Sequence, residues 1–412
     1  MSKPHRNPSK PALAPSFELP LQPINVPVER CPVSRDEASE RILIMRLAAH
    51  GDILMATPLL RAIREQRPNA HITWVAERKE RQAIDAHPIV DELLLWDSPY
   101  FKRMLRRANY LGWAVQALRF RKEIRGRHFD SFVSFQPEEW PLLMLGSGAP
   151  RTIGIFDTFR AFYRSKKASP YTRLYLHAFT HEVLPAHRTD QYLLSLPPLG
   201  LNATENKLMQ MGFTAEDQTA ARAFVASEFG GDTDRYAILA PMTTWETRCW
   251  PPERFAALGD RIAKDGRRIV LISSAHPREA AVAQAVAGQM QTKAAIASGN
   301  LTFRQMAAMV SEADLLISGD TGPMHVAAAV GTPYLALFGP TPVENLAPLA
   351  GPGRVLRHAV PCGPCYQKTC ALTGSEKFQC MRLITVDEVY EAYQDLAGFE
   401  GSPPQPLPGE GL

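Results

Sequence analysis

The stretch Ser318-Gly319-Asp320-Thr321-Gly322-Pro323-Met324-His325 carries the residue types an anion site needs, in a workable order. Before it, Ala313-Asp314-Leu315-Leu316-Ile317 reads as a short buried strand; after it, Val326 to Val330 reads as the start of a helix stopped by Gly331-Thr332-Pro333. A strand, a tight polar turn and a helix N-terminus leave backbone N–H groups unpaired and aligned with the positive end of the helix dipole. That arrangement suits a diphosphate, such as that of a nucleotide-sugar. Gly322 lets backbone approach phosphate closely, and Thr321 supplies a hydroxyl expected to help cap the helix. Asp320 repels phosphate, so it is expected to order the turn or to hold sugar hydroxyls. His325, about one turn in, either donates to a phosphate oxygen or is an ordinary helix histidine.

Two further polar sets follow strands. Thr243 and Thr244 come after Tyr236-Ala237-Ile238-Leu239 and can bind phosphate through hydroxyls and N–H groups. Glu279 opens a helix after Ile272-Ser273-Ser274; it either accepts hydrogen bonds from a ribose or simply complements the helix dipole. Cys362, Cys365, Cys370 and Cys380 place four thiols within nineteen residues, with Gly363-Pro364 favouring a turn between the first pair. Such a set can hold a structural zinc or iron tetrahedrally, although the spacing is not that of a standard finger; unligated buried thiols are the alternative.

The elements that must position these residues alternate. Arg41 to Met45 predicts a strand, Leu47 to Asp52 a turn, and Ile53 to Arg64 a helix closed near Pro68. Ile72 to Val75 predicts a second strand, followed by a charged helix from about Glu77. Leu93 to Trp96, Ser131 to Ser134, Arg268 to Ile272 and Tyr334 to Phe338 continue the pattern. Short β-rich runs alternating with helical patterns indicate an α/β architecture with parallel sheets. The turn at Leu47-Ala48-Ala49-His50-Gly51-Asp52 has one glycine only, which argues against a dinucleotide-dependent dehydrogenase.

The 412 residues suffice for two domains. The expected division is a Pro-rich mobile segment over 1–40, a first domain over 41–200, a linker over 201–235, a second domain over 236–397 and a mobile tail over 398–412. Eight prolines in the first forty residues oppose helix and central strand alike. No apolar run is long enough to span a membrane and no secretory leader is recognisable, so the expected compartment is the cytoplasm. The net charge of +4 hides an asymmetry: residues 41–200 hold 24 Lys/Arg against 15 Asp/Glu, whereas 201–412 hold 17 against 22. Within the basic half, Lys102 to Arg127 contains nine Lys/Arg and one acid, Glu123, interleaved with Tyr110, Leu111, Trp113, Leu118 and Phe120. Together with Arg160, Arg164, Lys166 and Lys167 this stretch suits an anionic saccharide or lipid headgroups, or it is a merely solvated basic face. No nucleic-acid recognition motif accompanies it.

Four pieces, in order, resemble glycosyltransferase family 9, the ADP-heptose:lipopolysaccharide heptosyltransferases. They are His50-Gly51-Asp52-Ile53-Leu54 with Thr57-Pro58-Leu59; Thr243 to Pro251; Asp320 to His325; and Phe338-Gly339-Pro340-Thr341. The resemblance spans about 41–395. It implies a GT-B fold, two Rossmann-like domains with parallel sheets facing across a cleft, and an inverting transfer that needs no metal. By the same resemblance the donor is ADP-heptose, and Thr243, Thr244, Glu279, Asp320, Thr321, Gly322 and His325 are its candidate ligands. The acceptor is an anionic lipid-linked saccharide near Gly51, Lys102, Arg103 and Arg106, and the enzyme is peripheral to the inner membrane leaflet. From the residues alone Asp52 reads first as a cap for the helix that follows; by the resemblance it matches the family's general base. Arg248 stands where the family commonly has lysine, a cation to neutralise the departing diphosphate. In relatives that modify proteins, a cysteine set like this one is associated with iron. A protein-modifying heptosyltransferase, a transferase of another nucleotide-sugar and a non-catalytic sugar-nucleotide sensor are the alternatives.

Overall fold

The computed structural model describes Ser34 and residues 38–137, 140–156, 170–180, 184–231 and 235–397. Most of the Pro-rich start, the tail, and Arg160, Arg164, Lys166 and Lys167 lie outside the described residues. Contacts divide the chain into two units that meet in sequence at Thr214 and Ala215.

The first unit is a parallel sheet of β1 (Glu40–Met45), β2 (Ala70–Glu77), β3 (Glu92–Trp96), β4 (Ser131–Ser134), β5 (Arg151–Ile155) and β6 (His177–Phe179), in the order β3-β2-β1-β4-β5-β6. Ile44 pairs with Trp74 on one side and Val133 on the other, so β1 is central and buried on both faces. The chain builds outward from β1 to β3, then crosses to β4 on the opposite flank. The turns after β1 and β4 therefore diverge and leave a crevice at their carboxyl ends.

Helix α1 (His50–Gln66) connects β1 to β2 and begins three residues earlier than the sequence predicts. The charged helix expected from Glu77 is instead a six-residue 3-10 turn, Arg78–Ala83. Glu80 is buried there with its carboxylate 3.0 Å from His50 Nε2, and Ala83 and Ile84 pack inward, so the segment cannot present a long solvated face.

The basic stretch forms two helices, α2 (Ser98–Arg106) and α3 (Tyr110–Arg125). Asn109 separates them by accepting a bond from Gly112 N at 3.0 Å, an N-cap that starts the second helix. Trp113, Ala117, Phe120 and Ile124 turn α3 toward a cluster containing Trp96, which stacks on Phe101 at 4.0 Å. Leu111 and Leu118 face outward, 79% and 61% exposed. Two shorter helices, α4 (Pro141–Ser147) and α5 (Arg188–Leu193), complete the unit; α5 packs on α1.

The second unit repeats the plan. Strands β7 (Tyr236–Ala240), β8 (Arg268–Ser273), β9 (Ala294–Ser298), β10 (Leu315–Gly319), β11 (Tyr334–Phe338) and β12 (Gly353–Arg357) lie parallel in the order β12-β11-β10-β7-β8-β9. The reversal falls between β7 and β10, which pair directly, Leu316 opposite Ile238. Helices α6 (Ala215–Phe229), α7 (Pro252–Lys264), α8 (Pro277–Gln289), α9 (Phe303–Ser311), α10 (Gly322–Val330) and α11 (Val386–Ala397) cover the sheet. Helix α6 lies within the 201–235 stretch and packs on α9, with Asp217 3.0 Å from Arg304 Nε. Its buried positions, Asp217, Ala221, Val225 and Phe229, recur every four residues, a stripe that the polar composition of this stretch hides. The core joins Leu239, Ile269, Leu271, Ile317 and Leu335 of the strands to Trp250, Phe255 and Tyr393.

Candidate functional site

In the first unit the turn after β1 is fixed from across the sheet. Leu47 N and Ala48 N donate to Gln136 Oε1, just past β4, at 2.7 and 3.4 Å. Gly51 and Asp52 follow in the first turn of α1, both partly exposed. Asp52 Oδ2 lies 2.6 Å from Arg46 Nη2, and Oδ1 lies 3.6 Å from Arg188 Nε. Its carboxylate also accepts a weak bond of 3.5 Å from Ala49 N, so it does partly cap α1, though from inside the helix rather than ahead of it. Burial pushes the Asp52 pKa up, but Arg46 and then Arg188 pull it down further, and the carboxyl sits at about 2. Arg46 is itself fixed, donating from Nη1 to Phe135 O at 3.0 Å. The crevice thus holds a carboxylate that is ionised at neutral pH and three-quarters withdrawn from water.

Lys102, Arg103 and Arg106 are exposed on α2, which leaves the sheet after β3, two strands from β1. The structure therefore groups Gly51 and Asp52 and sets the three basic residues apart from them along the same edge.

In the second unit three loops leave the carboxyl ends of the adjacent strands β11, β10 and β7. Asp320, directly after β10, is buried and holds the loops together. Its Oδ2 accepts from Thr341 Oγ1 at 2.6 Å and lies 3.2 Å from Arg248 Nη1, which also reaches Asp320 O at 3.3 Å. Asp320 thereby ties the turn after β10 to the loops after β11 and β7. Arg248 lies over Trp245 with Cζ 3.9 Å from the ring centroid, a cation–π contact. Gly319 is required here: a Cβ would come 2.7 Å from Arg248 O.

The remaining candidates separate by what they already touch. The buried Thr243 hydroxyl donates to Trp245 O at 2.7 Å and accepts from Trp245 N, shaping its own loop, whereas Thr244 is exposed. Glu279 accepts from Ser274 Oγ at 2.7 Å at the start of α8. His325 is buried within α10, while Gly322 at its start has open space where a Cβ would project. Thr321 is the residue before the helix, as expected, yet its hydroxyl makes no capping bond. The reason is local: Pro323 has no N–H to offer, and Met324 N bonds the Thr321 carbonyl instead, at 3.2 Å.

Cys362, Cys365, Cys370 and Cys380 are free thiols, Cys362 exposed and the others half-buried. Burial first, then the neighbouring Cys365, Cys362 and Cys370, raise the Cys380 thiol to about 11. The four are close enough to influence one another. Among the described residues, however, no three His, Cys, Asp or Glu side chains gather as a metal site requires.

Sequence reasoning passed over Arg46, Arg188 and Gln136. Each sits at a strand or helix end with no periodic signal; Arg46 and Arg188 meet Asp52, and Gln136 holds the turn before it. Thr341 and Trp245 lay inside recognised motifs without an assigned role.

The family model for glycosyltransferase family 9 (heptosyltransferase) matches residues 117–375, more than half of the chain. The lipopolysaccharide core heptosyltransferase OpsX of Haemophilus influenzae is 21% identical over 302 residues, 73% of this chain and 80% of its own. A family 9 glycosyltransferase from Veillonella parvula superposes with a TM-score of 0.71 at 24% identity, over 88% of this chain and 99% of that one. The E. coli heptosyltransferase WaaC, solved with ADP-2-deoxy-2-fluoro heptose, gives 0.63 at 20% identity, over 86% and 99%. These likenesses carry the GT-B fold class that the two Rossmann-like sheets express. With the family model spanning both switch-point loops of the second sheet, the chain belongs to glycosyltransferase family 9, the heptosyltransferases, and is a glycosyltransferase.

Proposed function

We propose that this protein transfers a heptose from ADP-heptose to a hydroxyl of the lipopolysaccharide inner core, with inversion and without a catalytic metal. One observation carries the reading: an ionised carboxylate, Asp52, partly exposed at the switch point of the first sheet. The names of OpsX and of the WaaC complex supply the donor and acceptor classes.

In this scheme the acceptor oxygen attacks the anomeric carbon from the face opposite the diphosphate. A carbon–oxygen bond forms, the bond to the diphosphate breaks, ADP departs, and the proton passes to Asp52. A carboxylate held at about pKa 2 is a weak base toward a resting alcohol. It suffices if transfer is late, because the attacking oxygen becomes strongly acidic as it bonds to the sugar carbon. Arg46 and Arg188 then keep Asp52 ionised and aimed.

The donor diphosphate is assigned to the second unit, against the start of α10 and Arg248. The open space beside Gly322 suits a phosphate oxygen, and the aligned N–H groups favour its charge. Arg248 meets the charge that grows on departing ADP, the task a metal performs in other transferases. Thr244 and His325 are the remaining donors to that group. Glu279, tied to Ser274 near the β8 edge, is assigned to the ribose.

The acceptor is assigned to the basic first unit, with Gly51 beside Asp52 and Lys102, Arg103 and Arg106 toward its anionic groups. Among the described residues no helix is long and apolar enough to cross a membrane. Outward Leu111 and Leu118 on α3, flanked by Arg119, Lys122 and Arg125, suit shallow contact with an anionic leaflet at the cytoplasmic face. Purified protein given ADP-heptose and heptose-deficient core lipid should release ADP and add one heptosyl residue, read by mass spectrometry. Transfer to a co-expressed protein serine but not to the lipid would replace this acceptor.

A further inference from the structure

The segment between Cys365 and Cys370 closes over the loop that follows β7. Two successive residues tie it down. Tyr366 N donates to Pro340 O, in the loop after β11, at 2.7 Å; Gln367 O accepts from the Thr247 hydroxyl at 2.6 Å. The Tyr366 ring meets Trp245 edge-on, with centroids 4.9 Å apart. The next residue, Lys368, brings Nζ to 5.6 Å from the Trp245 ring centroid, the same indole that carries Arg248.

One aromatic platform thus gathers two cations, and their electrostatic circumstances differ. Arg248 is largely withdrawn from water and paired with Asp320, so that pair is close to neutral. Lys368 is exposed, and among the described residues no carboxylate pairs with it. A diphosphate carries at least two negative charges near neutral pH. The helix start of α10 offers only about half an elementary charge. A site made from Arg248–Asp320 and α10 alone would be under-charged for its ligand.

We propose that Lys368 is a second cation of the donor site, binding a diphosphate oxygen, and that the Cys365–Cys370 loop serves to hold it there. The inference rests on the reading that the second unit binds a nucleotide diphosphate. It adds a binding residue from a segment whose sequence points only to thiol chemistry. Lysine suits the place: its ammonium reaches the indole and stays mobile enough to follow a flexible diphosphate.

The test is titration calorimetry of the full chain with ADP at two salt concentrations. Lys368→Met keeps an unbranched side chain of similar length and removes the charge; it is expected to weaken ADP binding about tenfold and to flatten its salt dependence. Lys368→Arg should stay within about threefold of the parent. Thr247→Val, which releases Gln367, should weaken ADP binding by several-fold while the circular dichroism spectrum stays native. If Lys368→Met binds ADP as tightly as the parent, with the same salt dependence, Lys368 is a surface residue and the inference fails. If the parent itself binds no ADP, the donor-site reading fails first, whatever the variants do.

Discussion

Replacing Asp52 by asparagine tests stability and catalysis separately. The carboxyl drops from an ordinary 3.8 to about 2 in the folded protein, so the charged form is favoured there. At 1.36 kcal/mol per pK unit the ionised group contributes about 2 kcal/mol at neutral pH. Because the folded-state pKa is depressed, that contribution is present above the ordinary value and lost as pH falls through about 2. It should be near half size at about pH 3. Asp52→Asn should therefore lower Tm by about 4–8 °C at pH 7, nearly as much at pH 4, and by about half as much near pH 3. Buried Arg46 and Arg188, left without their carboxylate, work in the same direction. ADP binding should stay within about twofold, since the nucleotide is assigned to the other unit. Turnover with ADP-heptose and core acceptor should fall about 100-fold or more, the scale of a lost general base. The base is already ionised in the free enzyme, so kcat/KM should show no acid limb from Asp52 between about pH 5 and 8. An Asp52→Asn enzyme that turns over within about threefold of the parent would refute the assignment, whatever its Tm.

Three further outcomes are expected. Gly322→Ala meets open space in the protein, so Tm should hold or rise slightly, while the KM for ADP-heptose should rise about tenfold if phosphate occupies that space; an unchanged KM would move the diphosphate elsewhere. Asp320→Asn removes the charge that pairs with buried Arg248, and should cost about 2–4 kcal/mol in denaturant unfolding; a loss below about 0.5 kcal/mol would mean that the pair is not what ties the loops. Leu111→Ser with Leu118→Ser should reduce co-sedimentation with vesicles rich in phosphatidylglycerol by about fivefold or more and leave transfer to a soluble acceptor intact; unaltered sedimentation would take the membrane contact off α3.

The sequence by itself determined the class of the fold. Strand-length apolar runs at β1, β2, β7, β8, β10 and β11 alternate with helical stretches, and that local pattern admits little but parallel α/β sheets. It also located the strand, glycine turn and helix start over 315–330, because these are contiguous in the chain. It misjudged two features, one through a neighbouring proline and one through a distant partner. Thr321 makes no side-chain cap because of the proline two residues on. The charged run after β2 is a 3-10 turn because Glu80 is drawn inward to His50. Only the tertiary structure decided the electrostatics. Asp52 is 6 residues from Arg46 but 136 from Arg188, and Asp320 is 72 from Arg248. Arg188 meets Asp52 because α5 packs on α1, and Arg248 meets Asp320 because β7 and β10 pair directly and send their loops to one edge. Charge interactions depend on distance through space and on burial, neither of which is written in the order of the residues.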